Sequence, residues 1–236
     1  MAHCCDGAVV IPFHNTDAIR FMQDMPSDSI DLIVTDPPYR TISGGKNRAD
    51  GYGLSTSVLS ENDGKIFQHN DLTPSDYLPQ MYRVLRDGGH CYVMTNVLNL
   101  RDMLSVAHSV GFGLHNLLVW HKNTGTPNRW YMKFAEYTLF LRKGPARSIN
   151  QPGSSNVFSA RNPRDKAHPT EKPLELMEHY ISNSSQPGDT VFDPFAGSGC
   201  TLVAAQRLGR QWIGCEIDPV YYYPVYGRLW KECNGG

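Results

Sequence analysis

The sequence lacks the features of a membrane, secreted or zinc-binding protein. No apolar run reaches the ~18 residues of a membrane-spanning helix, and the opening residues, MAHCCDGAVV, have neither the basic region nor the apolar core of a signal peptide. The six cysteines form no CxxC pair and follow no regular spacing, which favours free thiols. We therefore expect no membrane contact, no bound metal and a cytoplasmic location.

The composition is that of a globular chain with an uneven charge distribution. Hydrophobic residues make up 40% and charged residues 19% of the 236 residues, a length that fits one α/β domain over 1–236. The segment from His121 to Lys172 contains ten lysines and arginines and three acidic residues, whereas the whole chain has a net charge of −1. A basic segment in an acidic chain indicates contact with a polyanion, although a solvated surface loop has the same composition.

Apolar periodicity predicts strands that alternate with helices. The predicted strands are Ala8–Phe13, Asp31–Thr35, His90–Thr95, Leu114–His121, Glu136–Arg142, Thr190–Asp193 and Trp212–Ile217. The predicted helices are Thr16–Met25, a helix from Pro74 that stops at Gly88 and Gly89, Leu100–Val110, Pro173–Ser184, Leu202–Leu208 and Val220–Trp230.

This order predicts a mostly parallel sheet with helices on both faces. The strands 114–121 and 136–142 are expected to be antiparallel neighbours because no crossover helix separates them. Two segments, 40–72 and 144–167, break the periodicity. We expect the first to be a mobile loop, because long irregular loops in compact domains are usually functional or disordered.

A rigid, charged turn follows the second predicted strand in the stretch DLIVTDPPYRT, residues 31–41. Prolines lack the N–H donor that a central strand needs, so the strand is expected to stop where the turn Asp36, Pro37, Pro38 and Tyr39 begins. Ligands of open α/β sheets bind outside the carboxyl ends of the strands. The turn therefore presents a carboxylate and an aromatic ring where a ligand is expected.

A glycine-rich turn follows a later strand, in DPFAGSG from Asp193 to Gly199. Its spacing is neither GxGxxG nor a phosphate-binding P-loop. Glu216 ends the next strand, about 20 residues further on, where an acid suits the hydroxyls of a ribose. Together they predict a nucleoside cofactor without a phosphate chain; alone, the glycine loop could equally be an ordinary turn.

Three motifs resemble those of amino-directed DNA methyltransferases. Asp36–Tyr39 resembles the catalytic tetrad of that family, FDPFAGSGCT (192–201) resembles its S-adenosyl-L-methionine loop, and HPTEKP (168–173) resembles a third motif. The tetrad precedes the cofactor loop, which is similar to the circularly permuted β group. The resemblance extends from Asn15 to Asp218. It implies a Rossmann-like, S-adenosyl-L-methionine-dependent methyltransferase fold: a mixed, mostly parallel sheet with an antiparallel edge hairpin.

The resemblance also implies roles for individual residues. The tetrad, Asp36, Pro37, Pro38 and Tyr39, would be catalytic. The cofactor would be held by Asp17, His168, Thr170, Lys172, Asp193, Phe195, Ala196, Gly197, Ser198, Gly199 and Glu216. Two of these have plain alternatives, since Asp17 could be a helix cap and Lys172 a surface charge.

The chemistry expected of the tetrad is methylation of an exocyclic amine. The amino lone pair of a nucleobase is delocalised into the ring, and acceptors at Asp36 and the Pro37 carbonyl would localise it. Tyr39 would stack on a base flipped out of the duplex. We expect N6-adenine methylation, because cytosine-directed relatives more often carry serine at the head of the tetrad. N4-cytosine, RNA or protein-amide methylation and an inactive DNA-binding protein remain as alternatives.

Double-stranded DNA is the expected partner, and a homodimer remains open because some members of the family pair. Residues 144–167 would form a short target-recognition insertion, as that group carries its recognition segment between the catalytic and cofactor halves. Substrate contacts are expected from Arg40, Lys46, Arg48, Arg129, Arg147, Arg161, Arg164 and Lys166. Three aromatic residues, Trp120, Trp130 and Tyr131, are expected to pack in the core or at its edge rather than on bases.

Overall fold

The computed structural model describes residues 4–5, 8–9, 11–38, 72–126, 131–163 and 171–234. The strands are β1 (Cys4–Cys5), β2 (Ala8–Val9), β3 (Phe13–Asn15), β4 (Ile30–Thr35), β5 (Leu85–Thr95), β6 (Gly113–Thr126), β7 (Lys133–Arg142), β8 (Val157–Ala160), β9 (Thr190–Asp193) and β10 (Gln211–Glu216). The helices are α1 (Ala18–Asp24), α2 (Pro74–Val84), α3 (Leu100–Val110), α4 (Leu174–Ser184), α5 (Cys200–Arg207) and α6 (Pro219–Asn234).

Eight strands form one sheet in the order β3-β10-β9-β4-β5-β7-β6-β8, and β1 and β2 form a separate two-stranded sheet. Among these eight strands, β7 runs antiparallel to its neighbours and the other pairs are parallel. The predicted mostly parallel sheet with an antiparallel pair is confirmed. The hairpin is not the edge, however, because β8 pairs with β6 on its outer side.

The sheet is central because its strands bury side chains on both faces. Leu32, Ile33 and Val34 of β4 are fully buried. Alternate residues of a strand point to opposite faces, so Leu32 and Val34 pack with Tyr180 of α4 in one core layer. As expected, free thiols are found at Cys91, Cys200, Cys215 and Cys233. In the described part of the chain no helix is long and apolar enough to cross a membrane.

Several element bounds differ from the sequence prediction. The predicted strand Ala8–Phe13 is wrong, because Ala8–Val9 belongs to the small sheet and β3 begins at Phe13. The glycines Gly88 and Gly89 do not end α2, which stops at Val84 and leads directly into β5. They lie instead where the β4–β5 register jumps, between the pairs Ile30–Leu85 and Leu32–His90. Gly88 has a φ of +71° there, a conformation that favours glycine.

The chain divides into two compact units, Met1–Pro37 with Pro74–Gly236, and Pro38–Thr73. All strands and helices named above lie in the first unit. The predicted loop 40–72 lies outside the described residues except for Leu72. The irregular segment 144–167 contains β8 between Val157 and Ala160, so the prediction of no regular structure there is wrong over those residues.

Candidate active site

Asp36 lies at the carboxyl edge of the sheet because it follows β4 directly. This strand lies between β9 and β5 near the middle of the sheet, and its register places Thr35 beside Val93. β4 ends at Thr35, and Pro37, two residues further on, is buried and has no N–H to continue a ladder. Since Asp36 is two residues beyond Val34, it lies on the face of the sheet that packs against α4.

Glu136 and Lys122 lie on the same face, near the end of the β6–β7 hairpin. Glu136 pairs across the ladder with Trp120, and Lys122 lies two residues beyond Trp120, so both side chains point the same way. The ammonium group of Lys122 is 3.0 Å from Oε1 of Glu136. Lys122 is buried although it is charged, which is tolerated because it is paired.

Lys172 connects Glu136 to Asp36. Its Nζ donates a hydrogen bond to Oδ2 of Asp36 and lies 3.5 Å from Oε2 of Glu136. Four charges therefore alternate in sign from Lys122 through Glu136 and Lys172 to Asp36. We call these four residues the charged chain; their contacts hold Asp36 in place. The alternative in which Lys172 is a surface charge is wrong, since 8% of its side chain is exposed.

The charged chain determines the ionisation of Glu136. Burial alone would raise its pKa, but the ammonium groups of Lys172 and Lys122 outweigh that effect and lower it. Glu136 thus carries its negative charge at neutral pH.

Asp193 connects the catalytic strand to the glycine loop. Its Oδ1 accepts hydrogen bonds from the Thr35 hydroxyl at 2.7 Å and from the Phe195 backbone N–H at 3.1 Å. Burial raises the pKa of Asp193 to about 6, and these hydrogen bonds oppose the shift. The ends of β4 and β9 are therefore fixed to each other at the position where the glycine loop begins.

The glycine loop is closed by Glu216 at the end of β10. Its two carboxylate oxygens accept the backbone N–H groups of Gly197 at 3.0 Å and Asp218 at 2.8 Å. Burial raises the pKa of Glu216 despite these hydrogen bonds. Gly199 has a φ of +72°, and a Cβ there would lie 2.5 Å from Cγ1 of Val225, so the turn requires glycine.

The residues present fit S-adenosyl-L-methionine. Glu216 holds its carboxylate at the carboxyl edge, and each oxygen, with one N–H bound, retains acceptor capacity for a ribose hydroxyl. Ser198 and Ala196 of the same loop are small and buried, so the backbone can approach a ligand closely. Asp36 follows the strand next to β9, so a bound cofactor and a substrate base would meet between the two strand ends.

Several predicted site residues can now be placed. Asp17 caps α1 by accepting the backbone N–H of Arg20 at 2.9 Å, as its alternative proposed; its cofactor role stays a prediction. Arg161 directly follows β8, whose carboxyl end lies at the same edge as Asp36. Outside the described residues lie Tyr39, Arg40, Lys46, Arg48, Arg129, Arg164, Lys166, His168 and Thr170.

Arg147 is placed far from Asp36. Its side chain lies against Gly88, near the amino end of β5. Gly88 precedes His90, and the regular part of β5 from His90 to Thr95 alone extends about 16 Å at ~3.3 Å per strand residue, so Arg147 lies towards the opposite edge. This placement does not support its expected DNA contact, which stays a prediction.

Sequence reasoning missed Lys122 and Glu136. Glu136 is the one acid between His121 and Asp165, and it begins a predicted strand whose residues up to Arg142 are mostly apolar. This isolated charge was the signal in the sequence that could have identified Glu136 as a site residue. The three aromatic residues that were expected to pack in the core or at its edge have different outcomes. Trp120 is buried, and its indole N–H donates to the Ala160 carbonyl at 3.0 Å, as expected. Trp130 is outside the described residues, and the packing expected of Tyr131 is wrong because the residue is 92% exposed.

Comparison with known proteins agrees with this geometry. The family model N6_N4_Mtase, described as DNA methylase, matches residues 30–226. The chain is 26% identical to the type II methyltransferase M2.DpnII of Streptococcus pneumoniae, over 92% of this chain and 89% of the relative. It is 29% identical to the type II methyltransferase M.HpaI of Haemophilus parainfluenzae, over 93% of this chain and 74% of the relative.

Solved structures share the fold. TTHA0409 of Thermus thermophilus, complexed with S-adenosyl-L-methionine, superimposes with a TM-score of 0.69 at 25% identity, covering 96% of each chain. The cytosine-N4-specific PvuII DNA methyltransferase gives a TM-score of 0.66 at 19% identity, covering 95% of this chain and 93% of that one. The chain therefore belongs to the DNA methylase family and is an S-adenosyl-L-methionine-dependent DNA methyltransferase.

Proposed function

We propose that this methyltransferase acts on the exocyclic N6 amino group of an adenine flipped out of double-stranded DNA. The observation that carries the proposal is the carboxylate of Asp36, fixed by Lys172 at the carboxyl edge beside the glycine loop. At this position the cytosine-directed members that the sequence resembles more often have serine. A carboxylate accepts hydrogen bonds more strongly than a hydroxyl, at ~1.5–3 kcal/mol against ~1 kcal/mol.

The chain's own residues supply acceptors for both amino hydrogens. Lys172 occupies one site on Oδ2 of Asp36, and a carboxylate has about four lone-pair sites, so capacity remains for the amine. The backbone carbonyl of Pro37 is the second acceptor. Two consecutive prolines restrict φ to ~−65°, so these acceptors are held before the base arrives.

Accepting both hydrogens localises the amino lone pair towards the methyl donor. When bound, S-adenosyl-L-methionine supplies an electrophilic methyl group. Transfer would form the new N–C bond at the amine as the S–CH3 bond of the donor breaks and S-adenosyl-L-homocysteine leaves. The methylated amine would be acidic and would pass one proton to Asp36 or to water. Lys172 limits the movement of Asp36 during the reaction, because the Lys172 ammonium group is itself held by the carboxylate of Glu136.

Product analysis tests the base assignment. Mixed-sequence duplex DNA is methylated with labelled S-adenosyl-L-methionine, digested to nucleosides and separated by mass. We expect label in N6-methyladenine, and none with the Asp36→Ala variant. Label in N4-methylcytosine alone would overturn the adenine assignment and leave the acceptor chemistry intact, because the amino group of cytosine fits the same acceptors.

A further inference from the structure

The β6–β7 hairpin extends past the edge of the sheet on which Asp36 lies. The ladder between β5 and β7 ends at the pair Thr95–Tyr137. The ladder between β6 and β7 runs on to His121–Ala135 and, after an irregularity, includes the pair Thr126–Lys133. Lys133 lies four residues from Tyr137 along β7, about 13 Å at ~3.3 Å per residue. Since β5 runs parallel to β4, this extension is on the side of the active site.

The described end of this hairpin exposes apolar side chains. The Phe134 ring lies over Gly125 on the other strand, where an added Cβ would be 2.7 Å from Cζ, and it stacks on His121 at a centroid distance of 6.2 Å. Beyond this contact, Tyr131 is 92% exposed and Met132 51% exposed. Together they form an apolar tip that packing within the described part of the chain leaves uncovered.

Cationic side chains flank the tip. Lys133 follows Met132 and is exposed, and so is Arg161, which follows β8. The Asn162 side chain donates to the Thr124 hydroxyl at 3.1 Å, which connects the end of β8 to the hairpin. Within the described part of the chain, the ion pairs involve neither Lys133 nor Arg161. The tip therefore combines apolar surface with positive charge, which suits stacked bases between phosphates.

We propose that Tyr131 and Met132 contact DNA bases next to the target nucleotide, and that Lys133 and Arg161 contact the flanking phosphates. Extruding a base leaves a gap in the duplex, and an aromatic ring that projects from the hairpin can stack against the bases that border it. The proposal does not depend on whether the target is adenine or cytosine. It gives Tyr131 a role in DNA binding that is separate from the acceptors at Asp36.

The test compares Tyr131→Ala with Leu114→Ala. Leu114 is 52% exposed and lies on the same hairpin, at its opposite end, so it controls for the loss of exposed apolar surface. We expect Tyr131→Ala to lower affinity for a labelled mixed-sequence duplex by about 5- to 150-fold, the range for loss of base stacking. Tyr131→Phe should retain most of the affinity, and S-adenosyl-L-methionine affinity should be unchanged in all three variants.

A salt titration separates the tip from its flanks. The double variant Lys133→Gln, Arg161→Gln should reduce the slope of log affinity against log salt by about 2, at ~0.9 per phosphate contact, whereas Tyr131→Ala should leave the slope unchanged. Equal DNA affinities for Tyr131→Ala, Leu114→Ala and the wild type would overturn the proposal. So would a Tyr131→Ala variant that changes from dimer to monomer in sedimentation while each protomer binds DNA as before, since the tip would then join two copies of the chain.

Discussion

Replacement of Lys172 by methionine tests the charged chain most directly. The change keeps an apolar stem of similar length but removes the ammonium group between Asp36 and Glu136. The side chain of Lys172 is 8% exposed, and those of Asp36 and Glu136 are 20% and 32% exposed. Loss of one partner lowers stability by ~3–5 kcal/mol for a buried pair and ~0.2–1 kcal/mol for an exposed one. For this partly exposed arrangement we expect a loss of about 2–3 kcal/mol in the free energy of unfolding.

A second substitution identifies the source of that loss. In the double variant Lys172→Met, Asp36→Asn, position 36 carries an uncharged amide. No carboxylate is then left there without a cation. The double variant should therefore lose about 1–2 kcal/mol less than the sum of the single variants, which is the coupling expected for residues in contact. A simple effect of the apolar side chain at position 172 would give no such coupling.

Urea unfolding followed by circular dichroism measures all the variants. Arg207→Met is the control, because Arg207 pairs with Glu232 at the surface, with exposures of 47% and 27%. We expect the control to lose no more than about 1 kcal/mol. Strictly additive losses at positions 36 and 172, or a Lys172→Met variant as stable as the control, would refute the reasoning.

The remaining predictions concern the two strand ends. Gly199→Ala should lower both the Tm and the calorimetric affinity for S-adenosyl-L-methionine, and Val225→Ala should restore part of each by removing the contact at 2.5 Å but not the strain of a φ of +72°; unchanged binding in Gly199→Ala would mean that the loop geometry is unimportant. Burial raises the pKa of Asp193 from 3.8 to about 6, so folding takes up a proton and the free energy of unfolding should fall by roughly 3 kcal/mol as pH rises from below 4 to above 6. Asp193→Asn should remove that decline, and equal pH slopes for the variant and the wild type would contradict the assignment. Asp36→Ala should abolish methyl transfer and leave calorimetric cofactor affinity intact, so turnover at the wild-type rate would rule out its catalytic role. Glu216→Gln should weaken cofactor binding about tenfold, because an amide accepts more weakly than a carboxylate and cannot accept both backbone N–H groups equally; wild-type affinity would count against its contact with the ribose.

Local signals in the sequence were sufficient to predict the bounds of elements that end at a characteristic residue such as glycine. The helix Leu100–Val110 was predicted to the residue because an apolar face ends at Gly111, whose φ of 110° only glycine adopts readily. The edge strand Val157–Ala160 was missed because its short, partly polar sequence has little strand character of its own. It pairs with β6, from which it is about 38 residues distant in the chain.

In the candidate site, too, residues with a local signal could be predicted, whereas contacts between residues distant in the chain could not. Asp36 and Asp193 could be identified because each ends a buried strand, and the carboxyl ends of parallel strands share one edge. The ion pair of Lys172 with Asp36 joins residues 136 positions apart, and no periodicity or spacing encodes such a contact. Likewise, the exposure of Tyr131 follows from how far the β6–β7 ladder extends past Thr95, which composition does not reveal.

The hydrogen bond between Thr35 and Asp193 has a consequence for synthesis on the ribosome. The two residues are 158 positions apart, so at ~5–20 residues per second about 8–30 s pass between translation of β4 and of the strand that pairs with it. During that interval β4 can pair with β5 but presents a bare, apolar edge on its other side. The methyl donor cannot protect such a nascent chain, because the glycine loop that follows β9 has not yet been made. Until β9 is made, that edge of β4 is open to pairing with another chain.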